Sequence, residues 1–89
     1  MRVDSIGDLG RYLRDHRLRN GLSQEEVATR SGTSRRWLSE LENGKPTVEI
    51  GLTLKVVFAL GLMMEVGPAP APEVDLDSLL DNLGGPHGR

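Results

Sequence analysis

Ser23-Gln24-Glu25-Glu26-Val27-Ala28-Thr29-Arg30-Ser31-Gly32-Thr33-Ser34-Arg35-Arg36-Trp37-Leu38-Ser39-Glu40-Leu41-Glu42-Asn43-Gly44-Lys45 holds the start and stop signals of two short helices. Ser23 and Glu26 stand at the spacing of a reciprocal capping box: the hydroxyl accepts from the amide three residues on, and the carboxylate reaches back to the serine's own amide. The spacing predicts a helix that begins at Gln24, buries Val27 and Ala28 and ends at Gly32, only two turns long. Ser34 can cap a second helix from Arg35 to about Glu42, with Leu38 and Leu41 facing inward. Asn43-Gly44-Lys45-Pro46 marks its end.

Outward from this stretch the same logic continues in both directions. Upstream, Ser5 and Asp8 open a helix in which Ile6, Leu9, Tyr12 and Leu13 share one face. Arg11, Arg14, Asp15, Arg17 and Arg19 occupy much of the remainder, and Gly21 supplies a left-handed stop. Downstream, Thr47 is predicted to cap a fourth helix in which Ile50, Leu54, Val57 and Phe58 repeat at helical spacing, closed by Gly61. Leu62, Met63, Met64, Glu65 and Val66 then form a short apolar run bounded by glycine and proline, which suits a strand better than a fifth helix. Gly67 to Pro72 alternates proline with small residues and is an extended spacer. Beyond it, acids mix with leucines up to Leu83. The organisation is one domain over residues 1–66 and a linker with a flexible acidic-leucine tail over 67–89.

Eighty-nine residues leave room for one folded domain. Apolar residues make up 37% and aromatics only 3%, so the core must be aliphatic. With no cysteine, disulfide frameworks and thiol chemistry are excluded. The formal net charge of -2 conceals an asymmetry: residues 1–45 carry nine Lys/Arg and seven Asp/Glu, residues 46–89 two and six. A basic front and an acidic back suit an anion-binding first half and a second half meant for protein contacts. Val56 to Met64 is too short to span a bilayer, and Met1-Arg2-Val3-Asp4-Ser5 lacks the apolar core of a signal peptide. The expected location is the cytoplasm.

Two short helices joined by a tight turn containing Gly32, the second opening with two arginines, are the sequence form of a helix-turn-helix. In such a unit the second helix enters the major groove N-terminus first, so its first-turn side chains reach base edges while the preceding helix lies across the backbone. Arg35 and Arg36 occupy that first turn. A guanidinium can donate two parallel bonds to guanine or clamp a phosphate, and two adjacent helix positions cannot aim at the same base. One is expected to read a base and the other partly to grip the backbone. Ser39 and Glu40 lie one turn further on, where Glu40 could accept from a cytosine amino group.

Arg17 to Ala28, Ser31-Gly32-Thr33-Ser34 and Leu38 to Lys45, taken in order, resemble the lambda-repressor-like (Xre/Cro) DNA-binding family over roughly residues 5–61. The resemblance implies an all-α bundle of four to five short helices. It also implies that Gln24 and Asn43 contact phosphate, that Arg35, Arg36 and Glu40 face the bases with Ser39, and that Arg17 and Glu42 form an internal ion pair. Ser34, Trp37 and Lys45 join the phosphate-contacting set. Trp37 is a departure, because the family often has a small residue there; its ring must either pack against the first helix or lie along the DNA backbone. Leu60 to Val66 is similar to the end of HipB-type antitoxins, whose strand pairs with its twin in a homodimer. The implied partners are a roughly palindromic double-stranded operator, a second copy of the chain and a HipA-like Ser/Thr kinase toxin.

His16 and His87 are too far apart to argue for a metal, and a solvated His16 is expected; no metal or other cofactor is implied. Ser5, Ser23 and Ser34 are explained as caps, and no acid, base and nucleophile converge, which argues against an enzyme. Val74, Leu76, Leu79, Leu80 and Leu83 are candidate anchors of a partner-binding tail; the alternatives are a solubilising end or a segment that folds back on its own dimer. Within the DNA-binding reading, a stand-alone Xre-type repressor is the rival to an antitoxin, and outside it a protein-binding adaptor built on the same scaffold.

Overall fold

A computed structural model describes residues 2–70. Four helices follow one another: α1 (Ile6–Arg19), α2 (Gln24–Ser31), α3 (Arg35–Glu42) and α4 (Ile50–Ala59). Three of the four starts are fixed by serine caps. Ser5 Oγ accepts from the Asp8 amide at 3.1 Å, and Ser34 Oγ from the Trp37 amide at 3.0 Å. At α2 the capping box is complete, with the Glu26 amide donating to Ser23 Oγ at 3.0 Å and the Ser23 amide to Glu26 Oε1 at 2.9 Å.

The core joins Leu9 and Leu13 of α1, Val27 and Ala28 of α2, Leu38 and Leu41 of α3, and Val56 and Val57 of α4. It is wholly aliphatic, and the half-buried Ile6, Leu22, Trp37, Val48, Leu60 and Leu62 close its edges. α1 packs on α3, while α2 packs on both α3 and α4. The crossing of α1 over the end of α3 is close enough to require glycine. A Cβ placed on Gly10 would stand 2.1 Å from the Leu41 carbonyl oxygen.

The fourth helix departs from its expectation in two ways. Thr47 is not its cap: Pro46 and Thr47 form a turn, Val48 packs on the core, and the helix starts only at Ile50, with Glu49 as the capping residue and no side-chain cap bond. Its inward face also differs. Val56, Val57 and Thr53 are buried, whereas Ile50 and Phe58, expected inside, are 67% and 62% exposed. Thr53 is accommodated because its hydroxyl donates to the Glu49 carbonyl at 2.7 Å. Leu62, Met63, Met64, Glu65 and Val66 form no strand among the described residues, where a single extended segment finds no neighbouring edge to pair with. Val74, Leu76, Leu79, Leu80 and Leu83 lie outside the described residues.

Candidate nucleic-acid interface

The unit formed by α2 and α3 is set by the three residues Gly32, Thr33 and Ser34 between them. Gly32 adopts φ +72°, a left-handed conformation that reverses the chain without strain only for glycine. The Thr33 amide then donates back to the Ala28 carbonyl at 2.9 Å, and buried Ser31 donates its hydroxyl to the Val27 carbonyl at 2.8 Å. With the turn locked and Ser34 capping α3, the direction of α3 is fixed by backbone chemistry.

Leu38, Leu41 and Glu42 are buried on one side of α3, and Trp37 is half-buried beside them. Arg35, Arg36, Ser39, Glu40 and Asn43 fall on the opposite arc, about 140° of the helix circumference at 3.6 residues per turn. Arg35 and Arg36 are exposed, Arg36 with 91% of its side chain in solvent. Glu40 lies between two cations, its carboxylate 3.9 Å from Arg36 Nε and 3.4 Å from Lys45 Nζ. Asn43 caps the end of α3, with its side-chain amide donating to the Ser39 carbonyl at 2.9 Å. The face thus presents three cations and one carboxylate, and the carboxylate already has partners.

Behind it stands a buried ion pair. Arg17, 7% exposed, and Glu42, 6% exposed, meet through two bonds, Nε to Oε2 at 2.6 Å and Nη2 to Oε1 at 3.0 Å. Arg17 Nη1 also donates to the Leu22 carbonyl at 2.8 Å, and Gln24 Nε2 donates to Glu42 Oε1 at 3.0 Å. The remaining oxygen of Gln24 lies 3.5 Å from Arg35 Nε. No buried side-chain polar atom among residues 2–70 lacks a hydrogen-bond partner, so both charges are accommodated.

Away from this face, the capping box has a protonation consequence: the Ser23 amide and hydroxyl hold the Glu26 carboxyl below the usual glutamate range, helped by Arg30. His16, expected in solvent, is instead half-buried. Its Nε2 donates to the Leu60 carbonyl at 3.2 Å, and its ring lies 6.3 Å from that of Tyr12.

The structure therefore gathers Arg35, Arg36, Ser39, Glu40, Asn43 and Lys45 at one surface, with Ser34 at its edge and Gln24 just behind. Trp37 is half-buried, with its ring packed against the edge of the core. The links through Leu22 and Gln24 have no sequence signature beyond the match at Arg17 and Glu42. Gly10 had one, a glycine inside an amphipathic helix.

Two short helices across a three-residue glycine turn, the second with its cationic side in solvent, define a helix-turn-helix domain. A family model described as a helix-turn-helix domain matches residues 8–87. The chain is 35% identical over 65 residues to the "Uncharacterized HTH-type transcriptional regulator y4mF" of Sinorhizobium fredii (strain NBRC 101917 / NGR234), covering 73% of this chain and 86% of that protein. The chain belongs to the helix-turn-helix domain family, and is accordingly a DNA-binding transcriptional regulator and not an enzyme. Among solved structures it is similar in fold to a chain of a HipB-O4 20mer complex, with a TM-score of 0.73 and 24% identity over 79% of this chain and 99% of that one. A chain of a HipA-HipB-O2-O3 complex gives a TM-score of 0.73 at 23% identity, with the same coverage.

Proposed function

We infer that this chain is a transcriptional repressor that binds a palindromic operator as a homodimer, and that it serves as the HipB-like antitoxin of a toxin-antitoxin module. The observation that carries the DNA-binding half is the outer arc of α3, where Arg35, Arg36 and nearby Lys45 stand in solvent on a helix whose other side is core. Arg35 and Arg36 divide base reading and phosphate gripping, with Ser39 and Glu40 beside them. Lys45, Asn43 and the capped start of α3 at Ser34 hold the backbone. In the free protein Glu40 is the carboxylate nearest to Arg36 and Lys45, at 3.9 and 3.4 Å; on DNA, phosphates replace it as their anionic partner.

Dimerisation follows from the segment after α4. Met63 and Val66 are 77% and 90% exposed, and the backbone groups of Met63, Met64, Glu65 and Val66 have no hydrogen-bond partner within residues 2–70. Antiparallel pairing with its twin satisfies those groups and buries the apolar side chains. Two recognition helices related by the resulting axis meet successive major grooves about 34 Å apart. Residues 1–66 are thus the working domain and 67–89 the linker and partner-binding tail.

A HipA-like kinase toxin is the partner favoured by the fold likeness to chains of HipB complexes, one of which contains HipA. The family assignment alone equally supports a stand-alone repressor. No helix among residues 2–70 is long and apolar enough to cross a membrane, and a regulator that meets DNA works in the cytoplasm. The test is capture from the source cell with the full chain, a chain ending at Val66 and an Arg35→Glu/Arg36→Glu variant, scoring bound DNA and bound protein together. The antitoxin reading predicts that the full chain retains its own promoter and a kinase, and that the charge reversal loses the promoter but keeps the kinase. Promoter DNA without any kinase would leave a simple repressor, and promoter retained by the charge-reversed variant would refute the DNA-binding face.

A further inference from the structure

We propose that His16 is a positioning residue that registers the dimerisation segment, residues 62–66, against α3 and so sets the distance between operator half-sites that the dimer accepts. The proposal rests on the homodimer reading above and adds to it what keeps the two recognition helices at one separation.

The segment leaves α4 through a tight turn. Gly61 takes φ +74°, and the Gly61 and Leu62 amides donate back to the Phe58 and Val57 carbonyls, each at 3.0 Å. No backbone amide among the described residues reaches the Leu60 carbonyl. His16 does, with Nε2 at 3.2 Å, from 44 residues away in the chain. A carbonyl only accepts, so Nε2 carries the hydrogen. Beyond this point Leu62 packs against the core, and the backbone of Met63 to Val66 has no partner within residues 2–70. The direction of the segment therefore rests on the Gly61 turn, on Leu62 and on His16.

His16 is itself held in place. Its ring lies along that of Tyr12, one turn earlier on α1, with the centroids 6.3 Å apart and the planes 21° apart. The next residue is Arg17, whose guanidinium holds Glu42 at the end of α3, at 2.6 and 3.0 Å. Two neighbouring side chains of one helix thus grip the two parts whose relation fixes the dimer. His16 takes the root of the dimerisation segment, and Arg17 takes the recognition helix. α1 has no room to shift on α3 between them, because a Cβ on Gly10 would already stand 2.1 Å from the Leu41 carbonyl oxygen.

Adding one base pair between half-sites moves them apart by about 3.4 Å and turns them by about 35°, so each protomer must yield by about half of both. Each recognition helix stands about 17 Å from the two-fold axis, so its share of the shift is a swing of about 6° at the root and its share of the turn about 17°. A hydrogen bond tolerates a change of only about half an ångström, and it resists such a movement. A root without the His16 bond is free to make it.

The test uses a duplex with two half-sites, selected from a random-sequence pool by the full wild-type chain, together with copies carrying one base pair more or fewer between the half-sites and a copy with one half-site destroyed. Binding is measured for the wild type, His16→Phe, which keeps a ring and loses the donor, and His16→Gln, which restores a donor. His16→Phe should reduce the penalty for altered spacing by about threefold or more, the factor that one hydrogen bond contributes. Its affinity for the single half-site and its salt slope should be unchanged, and His16→Gln should return the spacing preference to that of the wild type. Circular dichroism and sedimentation equilibrium on the same samples report folding and assembly, and His16→Leu replaces the phenylalanine variant should the larger ring disturb α1. A spacing penalty unchanged in a folded, dimeric His16→Phe chain would overturn the proposal, and so would a glutamine variant that behaves like phenylalanine. A His16→Phe chain that becomes monomeric would also overturn it, since the bond would then hold the dimer together and not set its spacing. A wild-type chain that selects no paired half-sites refutes the homodimer reading itself, an outcome distinct from these.

Discussion

Replacing Glu42 by leucine while Arg17 stays in place leaves a guanidinium with 8% of its side chain exposed and no opposing charge. Breaking a buried pair in this way costs about 3–5 kcal/mol, most of it the desolvation of the orphaned charge. For a domain of this size total stability is on the order of 3–10 kcal/mol, so the single change removes a large part of it. Each 1.4 kcal/mol is a factor of ten, and a loss of about 4 kcal/mol multiplies the unfolded population roughly a thousandfold. Removing both charges, as Arg17→Met/Glu42→Leu, fills much of the same volume with apolar atoms and costs far less. The groups it releases, the Leu22 carbonyl and the Gln24 amide, belong to half-buried residues within reach of water. Urea titration followed by far-UV circular dichroism and by the fluorescence of Trp37 measures all four corners of the cycle. Single variants within about 1 kcal/mol of wild type, or a double variant as damaged as the two singles together, would refute the reasoning.

Three further outcomes follow from separate parts of the molecule. Gly10→Ala forces α1 away from the Leu41 carbonyl and should cost about 1–3 kcal/mol, which for a domain this small lowers Tm by several degrees at least; an unchanged Tm would show that the crossing relaxes freely. Because the folded-state pKa of Glu26 is lowered, its charged form contributes stability above the unfolded value that fades as pH falls through the folded one. The stability gap between wild type and Glu26→Gln should therefore be open at pH 7 and close as acid protonates the carboxylate, whereas a constant gap would remove the charge from the explanation. Met63→Lys/Val66→Lys should turn a dimer into a monomer in sedimentation equilibrium without changing the helical circular dichroism per residue; a dimer that survives would place the interface elsewhere.

The starts of the first three helices were legible to the residue, and their ends to within a residue or two, because these limits are set by local chemistry. Ser5, Ser23 and Ser34 can satisfy orphan amides only from the capping position, and a glycine past each helix end accepts the left-handed turn. The fourth was not, and the reason is compositional. Ile50, Leu52, Leu54, Val56, Val57 and Phe58 place apolar groups around most of the helix, so periodicity does not choose a face, and packing against α2 chose the side with Thr53 and Val56. The outward arc of α3 could be read because the alternation of Leu38 and Leu41 with charged neighbours is unambiguous. What lay behind it could not. Whether Gln24 meets a phosphate or Glu42 depends on the relative placement of two helices, which no spacing within either encodes.

The central claim is that the outer arc of α3 holds DNA by its cations, and the salt dependence of binding tests it most directly. If Arg36 and Lys45 of each protomer neutralise one phosphate apiece, the plot of log K against log salt for a duplex from the protein's own promoter has a slope of about -4 for the dimer. Arg36→Ala in both protomers should bring it to about -2, and Arg35→Glu/Arg36→Glu should abolish specific binding. A slope flatter than about -1 for the wild type, or one that the charge reversal leaves unchanged, would contradict the account.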